Sequence, residues 1–127
     1  THTKLGRGGL ADVEWTVQLL QLRHAAAVPS LRTTSTLSAL SAAHDAGLLS
    51  GDDEITLRAA WLFASQLRNA TVLVRGRADD SLPRDLRELS GVARLVGYAS
   101  GGSGELIEDY RRTTRRARAV VERVFYQ

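Results

Sequence analysis

From Leu10 to Phe125 the apolar residues recur at three- and four-residue intervals, and nowhere do they alternate for long enough to make a strand. That period restricts the chain to helices. With 127 residues, 43% of them apolar and 24% charged, it is one domain's worth, able to bury roughly two-thirds of its unfolded surface. The expectation is an all-α bundle of about five helices.

The first helix is predicted over about Leu10 to His24. Leu10, Val13, Val17 and Leu20 form its inner face, with Trp15, Leu19 and Leu22 broadening the face so that it is buried on two sides. Pro29 and Ser30 close that segment. A short helix with Leu37, Leu40, Ala43 and His44 follows an N-cap among Thr33 to Thr36 and stops at Gly47. Ser50 caps the longest helix, and Asp52, Asp53 and Glu54 suit its dipole. Its inner face reads Ile55, Ala59, Leu62, Phe63, Gln66, Leu67, Ala70, Leu73 and Val74, up to Gly76, a length on the order of 35 Å. Ser81 is the predicted cap of a fourth helix, with Pro83 in its first turn and Leu86, Leu89, Val92, Ala93, Leu95 and Val96 inward. After a flexible break at Ser100 to Gly104, a fifth helix runs from about Glu105 to Phe125. Leu106, Ile107, Tyr110, Thr114, Ala117, Val121 and Val124 face inward on it.

The chain has no cysteine, which excludes disulfides, thiolate metal sites and cysteine nucleophiles and fits a reducing, cytoplasmic setting. It has no methionine either, even at position 1, so it reads as a domain of a longer reading frame, with residues 1–9 as a linker and residues 10–127 as the bundle. No apolar run is long enough for a membrane span. The net charge is +3, and all but Lys4 of the 17 basic residues are arginine. Because those charges are spread along helices and mixed with acids, a nucleic-acid partner is not the expectation.

Chemistry, if any, belongs to the stretch Lys4 to Leu22. Gly6-Arg7-Gly8-Gly9 leads into a helix whose first turn carries Asp12 and Glu14. Glycines before a helix N-terminus can bring N–H groups to a phosphate. Yet no Gly-Lys-Ser/Thr follows and no strand precedes, so the residues alone read as a flexible approach to a helix. Two acids in a first turn suit the helix dipole. Being two residues apart, Asp12 and Glu14 point about 200° apart and do not face one metal. One can face a neighbouring site while the other holds Arg7 or Lys4.

Arg111, Arg112, Arg115, Arg116 and Arg118 could bind phosphate or an acidic partner. Glu108 and Asp109 stand three or four residues before Arg111 and Arg112, so a solvated face with intrahelical ion pairs is the simpler reading. Partner binding is assigned to Arg112, Arg115 and Arg116. His2, His24 and His44 have no ligand spacing, no metal site is expected, and Gly101 to Gly104 reads as a hinge.

Lys4, Gly8-Gly9-Leu10, Asp12-Val13-Glu14-Trp15, Gln18 and Leu20 resemble a family pattern, K-x-x-x-G-G-I/L-x-D-I/V-E-F/W-x-x-Q-x-L. The pattern follows each nucleotidyltransferase domain of bifunctional glutamine synthetase adenylyltransferases/deadenylylases. Leu37 to Leu49, Leu57 to Arg77, the Ala93-Arg94-Leu95 to Gly97-Tyr98 stretch and Arg118 to Phe125 resemble further parts, so the likeness covers essentially the whole chain. Many members have proline before the paired glycines where Arg7 stands, and the arginine version is compatible with an actinobacterial member.

The resemblance implies the helical domain after the C-terminal, adenylylating nucleotidyltransferase domain. The G-S-x…D-x-D signature that holds Mg²⁺ and ATP in that catalytic domain does not occur here, which implies a fragment inactive by itself. Asp12 and Glu14 would support the active-site cleft, with Gly8, Gly9 and Lys4 near the ATP site. Glutamine synthetase and a PII-type protein are the implied partners. The competing expectation is a stand-alone helical module that binds an acidic partner or nucleic acid through the last helix.

Overall fold

A computed structural model of the protein describes residues 3–5 and 9–126. It is an all-α bundle of five helices: α1 Leu10–His24, α2 Thr36–Asp45, α3 Gly51–Arg75, α4 Leu86–Leu95 and α5 Ser103–Phe125, with a 3-10 turn at Pro29–Leu31. α3 is the central member and touches all four others, α5 most extensively.

Its caps explain its length. The Ser50 hydroxyl accepts the Asp53 N–H at 3.1 Å, and Gly76 closes the far end with φ +74°, a conformation open to glycine at no steric cost. α2 starts the same way, with the Ser35 hydroxyl accepting from the Ser38 N–H.

The core has two lobes. One gathers α1, α2, the first half of α3 and the last half of α5 around Val13, Leu40, Leu57 and Ala117. The other joins Leu5 and Leu10 to the second half of α3, α4 and the first half of α5 around Leu67, Val92, Leu106 and Tyr110. Trp61 packs against both lobes. Leu5, ahead of the first helix, is buried to 1% exposure, so tight packing starts upstream of residue 10.

Five expectations are corrected. The cap of α4 is Asp85, whose carboxylate accepts the Glu88 N–H, and not Ser81. Ser81 and Leu82 are taken up elsewhere: Ser81 bridges to Lys4, and the Leu82 N–H donates to the Thr3 carbonyl. α5 begins at Ser103, two residues before Glu105, after a turn in which Gly101 has φ +80°.

α1 is not buried on two sides, because Trp15 is 63% and Leu22 86% exposed. α3 keeps Leu67 and Ala70 of its expected face inward but is otherwise rotated from it. Leu57, Ala60, Ala64, Leu67, Ala70 and Thr71 are buried, while Ile55, Leu62 and Leu73 are exposed. Two stripes on α3 satisfy the helical period, and the one with small alanines wins because it admits the close approach of neighbouring helices. On α4, Leu86 and Leu95 are exposed and only Val92 and Ala93 fully buried.

Candidate functional site

The approach to α1 is built from backbone partners. The Leu5 N–H donates to the Asp80 carbonyl at 2.8 Å. The Leu5 carbonyl in turn accepts from the Leu10 N–H and from the Tyr110 hydroxyl, both at 3.0 Å. Gly9 lies beneath this knot. A Cβ there would stand 2.6 Å from the Tyr110 hydroxyl oxygen and would collide with the Leu5 carbonyl, so only glycine fits. Tyr110 is held by an edge-on contact with Phe63. Burial, then the nearby Asp12 charge, pushes its hydroxyl well above the ordinary tyrosine range, so it stays a donor.

The first N–H of α1 is therefore taken by protein, and Gly9 is buried. Lys4 is exposed and faces Asp80 at 3.7 Å. Gly8, with Gly6 and Arg7, lies outside the described residues.

Asp12 and Glu14 diverge, as their spacing requires. The Asp12 carboxylate accepts from the Arg118 guanidinium of α5 at 2.7 Å, and this hydrogen bond is the main reason the guanidinium holds its proton above its ordinary range. The Glu14 carboxylate accepts the indole N–H of Trp61 on α3 at 3.3 Å. Each acid is thus fixed by a different helix. The described partners are Arg118 and Trp61, whereas Lys4 pairs with Asp80 instead.

Beside Asp12 the surface between α1 and α5 forms an open groove of about 600 Å³. Trp15, Phe125 and Tyr126 line it together with Arg118 and Glu122. On the opposite side Glu14 borders two smaller clefts, one with Gln18, Gln21 and Thr33 to Thr36, the other with Leu5, Arg68 and Asp80. Sequence periodicity could not mark Trp61 as the anchor of Glu14, since nothing local links residues 47 apart. Among the described residues no three His, Asp or Glu side chains come together as a metal would need.

The α5 arginines divide. Arg112 donates to Asp109 at 2.6 Å, and the same Asp109 accepts from the Tyr98 hydroxyl at 2.7 Å. Tyr98 first, then Arg112, holds the Asp109 carboxyl below the usual carboxylate range. Arg118 reaches Asp12 and Glu122, and Arg123 forms two hydrogen bonds with Asp53 on α3. Glu108 makes no ion pair with Arg111 or Arg112 among the described residues. Arg115 and Arg116 are exposed, and no ion pair joins them to a described residue.

Fold and site together define an all-α bundle domain whose first helix carries two separately anchored carboxylates. The chain belongs to the GlnD PII-uridylyltransferase family, which it matches over residues 1–127. It is also similar to curated proteins named bifunctional glutamine synthetase adenylyltransferase/adenylyl-removing enzyme. The identity is 61% over 125 residues with the Streptomyces avermitilis protein, 59% over 126 with that of Nocardia farcinica and 57% over 125 with that of Mycolicibacterium smegmatis. Each alignment covers 98% of this chain but only 12% of the relative. The resemblance carried by the Gly-Gly-Leu-x-Asp-Val-Glu-Trp stretch is upheld, and the relatives it points to are mostly actinobacterial.

Proposed function

We propose that this chain is the helical domain that follows the adenylylating nucleotidyltransferase domain of a bifunctional glutamine synthetase adenylyltransferase/adenylyl-removing enzyme. It braces the adenylylation cleft and relays regulatory signals to it. The observation that carries this reading is the 57–61% identity to enzymes of that name over 98% of the chain.

In this reading the parent acts on glutamine synthetase in the cytoplasm. ATP and Mg²⁺ are held by the catalytic domain, and that group supplies the adenylyl unit. This domain's own residues act by position. Tyr110, Gly9 and Leu5 make the junction with the upstream polypeptide stiff, because the backbone there is bonded on both sides. Arg118 and Trp61 position Asp12 and Glu14. A change at α5, induced by glutamine or a PII-type regulator, would reach the junction through Tyr110 and Arg118. No helix among the described residues is long and apolar enough to cross a membrane.

The test uses the full-length enzyme and residues 1–127 alone. The isolated domain should fold as helix and transfer no AMP to glutamine synthetase. In the full enzyme, Asp12→Ala or Glu14→Ala should lower transfer at least about tenfold with the helical circular dichroism intact. Normal adenylylation by both variants would remove the supporting role of these acids.

A further inference from the structure

The middle of α5 is built against its own stability. Between Tyr110 and Val121 there is no acidic residue, yet Arg111, Arg112, Arg115, Arg116 and Arg118 all fall there. Arg111 with Arg115, and Arg112 with Arg116, are like charges at i and i+4, which repel across one turn. Arg118 is committed to Asp12 and Glu122, and Arg112 to Asp109. Arg111, Arg115 and Arg116 stand exposed on the outer face, and no ion pair joins them to a described residue. A helix that needed only solubility would interleave acids here, as this same helix does at both ends with Glu108, Asp109 and Glu122.

Those flanking acids also set the shape of the complement. The basic ridge rises only about 8 Å along the axis from Arg111 to Arg116 before carboxylates return. A phosphate backbone tracking along the helix would run into Glu108 on one side and Glu122 on the other. A protein segment carrying two or three carboxylates would not, and guanidinium forks bind carboxylates in bidentate fashion.

We infer that the outer face of α5 is a docking surface for an acidic segment of the enzyme's protein substrate, with Arg111, Arg115 and Arg116 as its contacts. The inference rests on the proposed function, which makes that substrate glutamine synthetase. The ridge sets affinity and encounter rate and takes no part in the transfer step.

The experiment compares the full-length enzyme with its Arg111→Gln/Arg115→Gln/Arg116→Gln variant, with glutamine synthetase as the probe. Glutamine is a good helix former and relieves the repulsion, so the unfolding midpoint should hold or rise. The Kd for glutamine synthetase, by surface plasmon resonance, should weaken at least about tenfold, and its dependence on salt should flatten. In AMP transfer, KM for glutamine synthetase should rise in step, while kcat and the KM for ATP stay within about twofold. An unchanged Kd and salt slope overturns the docking surface, and so does a loss confined to binding of duplex DNA. If the wild-type enzyme transfers no AMP to glutamine synthetase, the proposed function falls. The Kd comparison still decides the docking, and a wild type that does not bind glutamine synthetase overturns it too.

Discussion

The Tyr110 hydroxyl donates to the Leu5 carbonyl at 3.0 Å across 105 residues of sequence, and this one bond ties the middle of the last helix to the backbone ahead of the first. Leu5 still keeps the Leu10 N–H as a donor when that hydroxyl is lost. Tyr110→Phe should therefore cost only about 1 kcal/mol, the usual net worth of one hydrogen bond. Urea unfolding with an unchanged m-value would measure it, and a loss above about 3 kcal/mol would mean that the tyrosine does more than make this bond.

Gly9→Ala is the severer change at the same place. Its methyl would meet the Leu5 backbone and the Tyr110 hydroxyl, and backbone does not swing aside as a side-chain end does. A loss of about 2 kcal/mol or more is expected. Hydrogen exchange at the Leu5 and Leu82 amides, which pair with Asp80 and Thr3, should accelerate more than exchange in α2. Uniform acceleration would contradict a local latch.

The start of α4 can be tested by a pair of alanines. Asp85→Ala should destabilise by about 1 kcal/mol through loss of the Glu88 cap. Ser81→Ala should not shorten α4, because its hydroxyl contacts Asp80 and not the helix. Carbon chemical shifts at residues 86–89 would read the difference, and fraying in the Ser81 variant would restore Ser81 as the cap.

The Asp12–Arg118 pair joins α1 to α5, with the Asp12 side chain 19% and the Arg118 side chain 41% exposed. Screening limits such a pair to about 0.5 kcal/mol of coupling. A double-mutant cycle with Asp12→Asn and Arg118→Gln should find that value at low salt and less at high salt. A coupling of several kcal/mol would contradict the exposure seen here.

Asp109 has a folded-state pKa below its ordinary value, set first by the Tyr98 hydroxyl and then by Arg112. A depressed carboxyl contributes stability that is present above the unfolded value of about 3.9 and is lost as pH falls through the folded value. The Tyr98–Asp109–Arg112 contact should thus survive mild acid and break only below the usual carboxylate range. Carboxyl NMR should show Tyr98→Phe moving the Asp109 midpoint upward, and no movement would rule out the hydroxyl as the main cause.

Much of the fold was legible along the chain. Leu10 to His24 is bounded as the pattern implied, and Ser50 and Gly76 frame α3, because caps and stops act within one turn of the residue that makes them. The inner face of α3 was legible only in part: Leu67 and Ala70 are buried as expected, but the stripe that meets the neighbours is a different one. Ile55, Leu62 and Leu73 fit the same period as Leu57, Ala64 and Leu67, and a period has no sign that says which stripe meets a neighbour. Ser81 looked like a cap because the strand-like partner of Ser81 and Leu82 lies at Thr3 and Lys4, far away in sequence.

By itself the sequence determined the helical class, the cap and stop of α3, the family and the divergence of Asp12 from Glu14, since each follows from spacing over a few residues or from a contiguous motif. Only the tertiary structure decided what holds those two acids, which stripe of each helix is inward, and that Thr3 to Leu5, ahead of α1, is bonded to the rest of the bundle. Arg118 and Trp61 lie 106 and 47 residues from their carboxylate partners, and Tyr110 lies 105 from Leu5. No local preference encodes contacts at that range; they arise when five amphipathic helices find the one arrangement that buries their small and apolar stripes together.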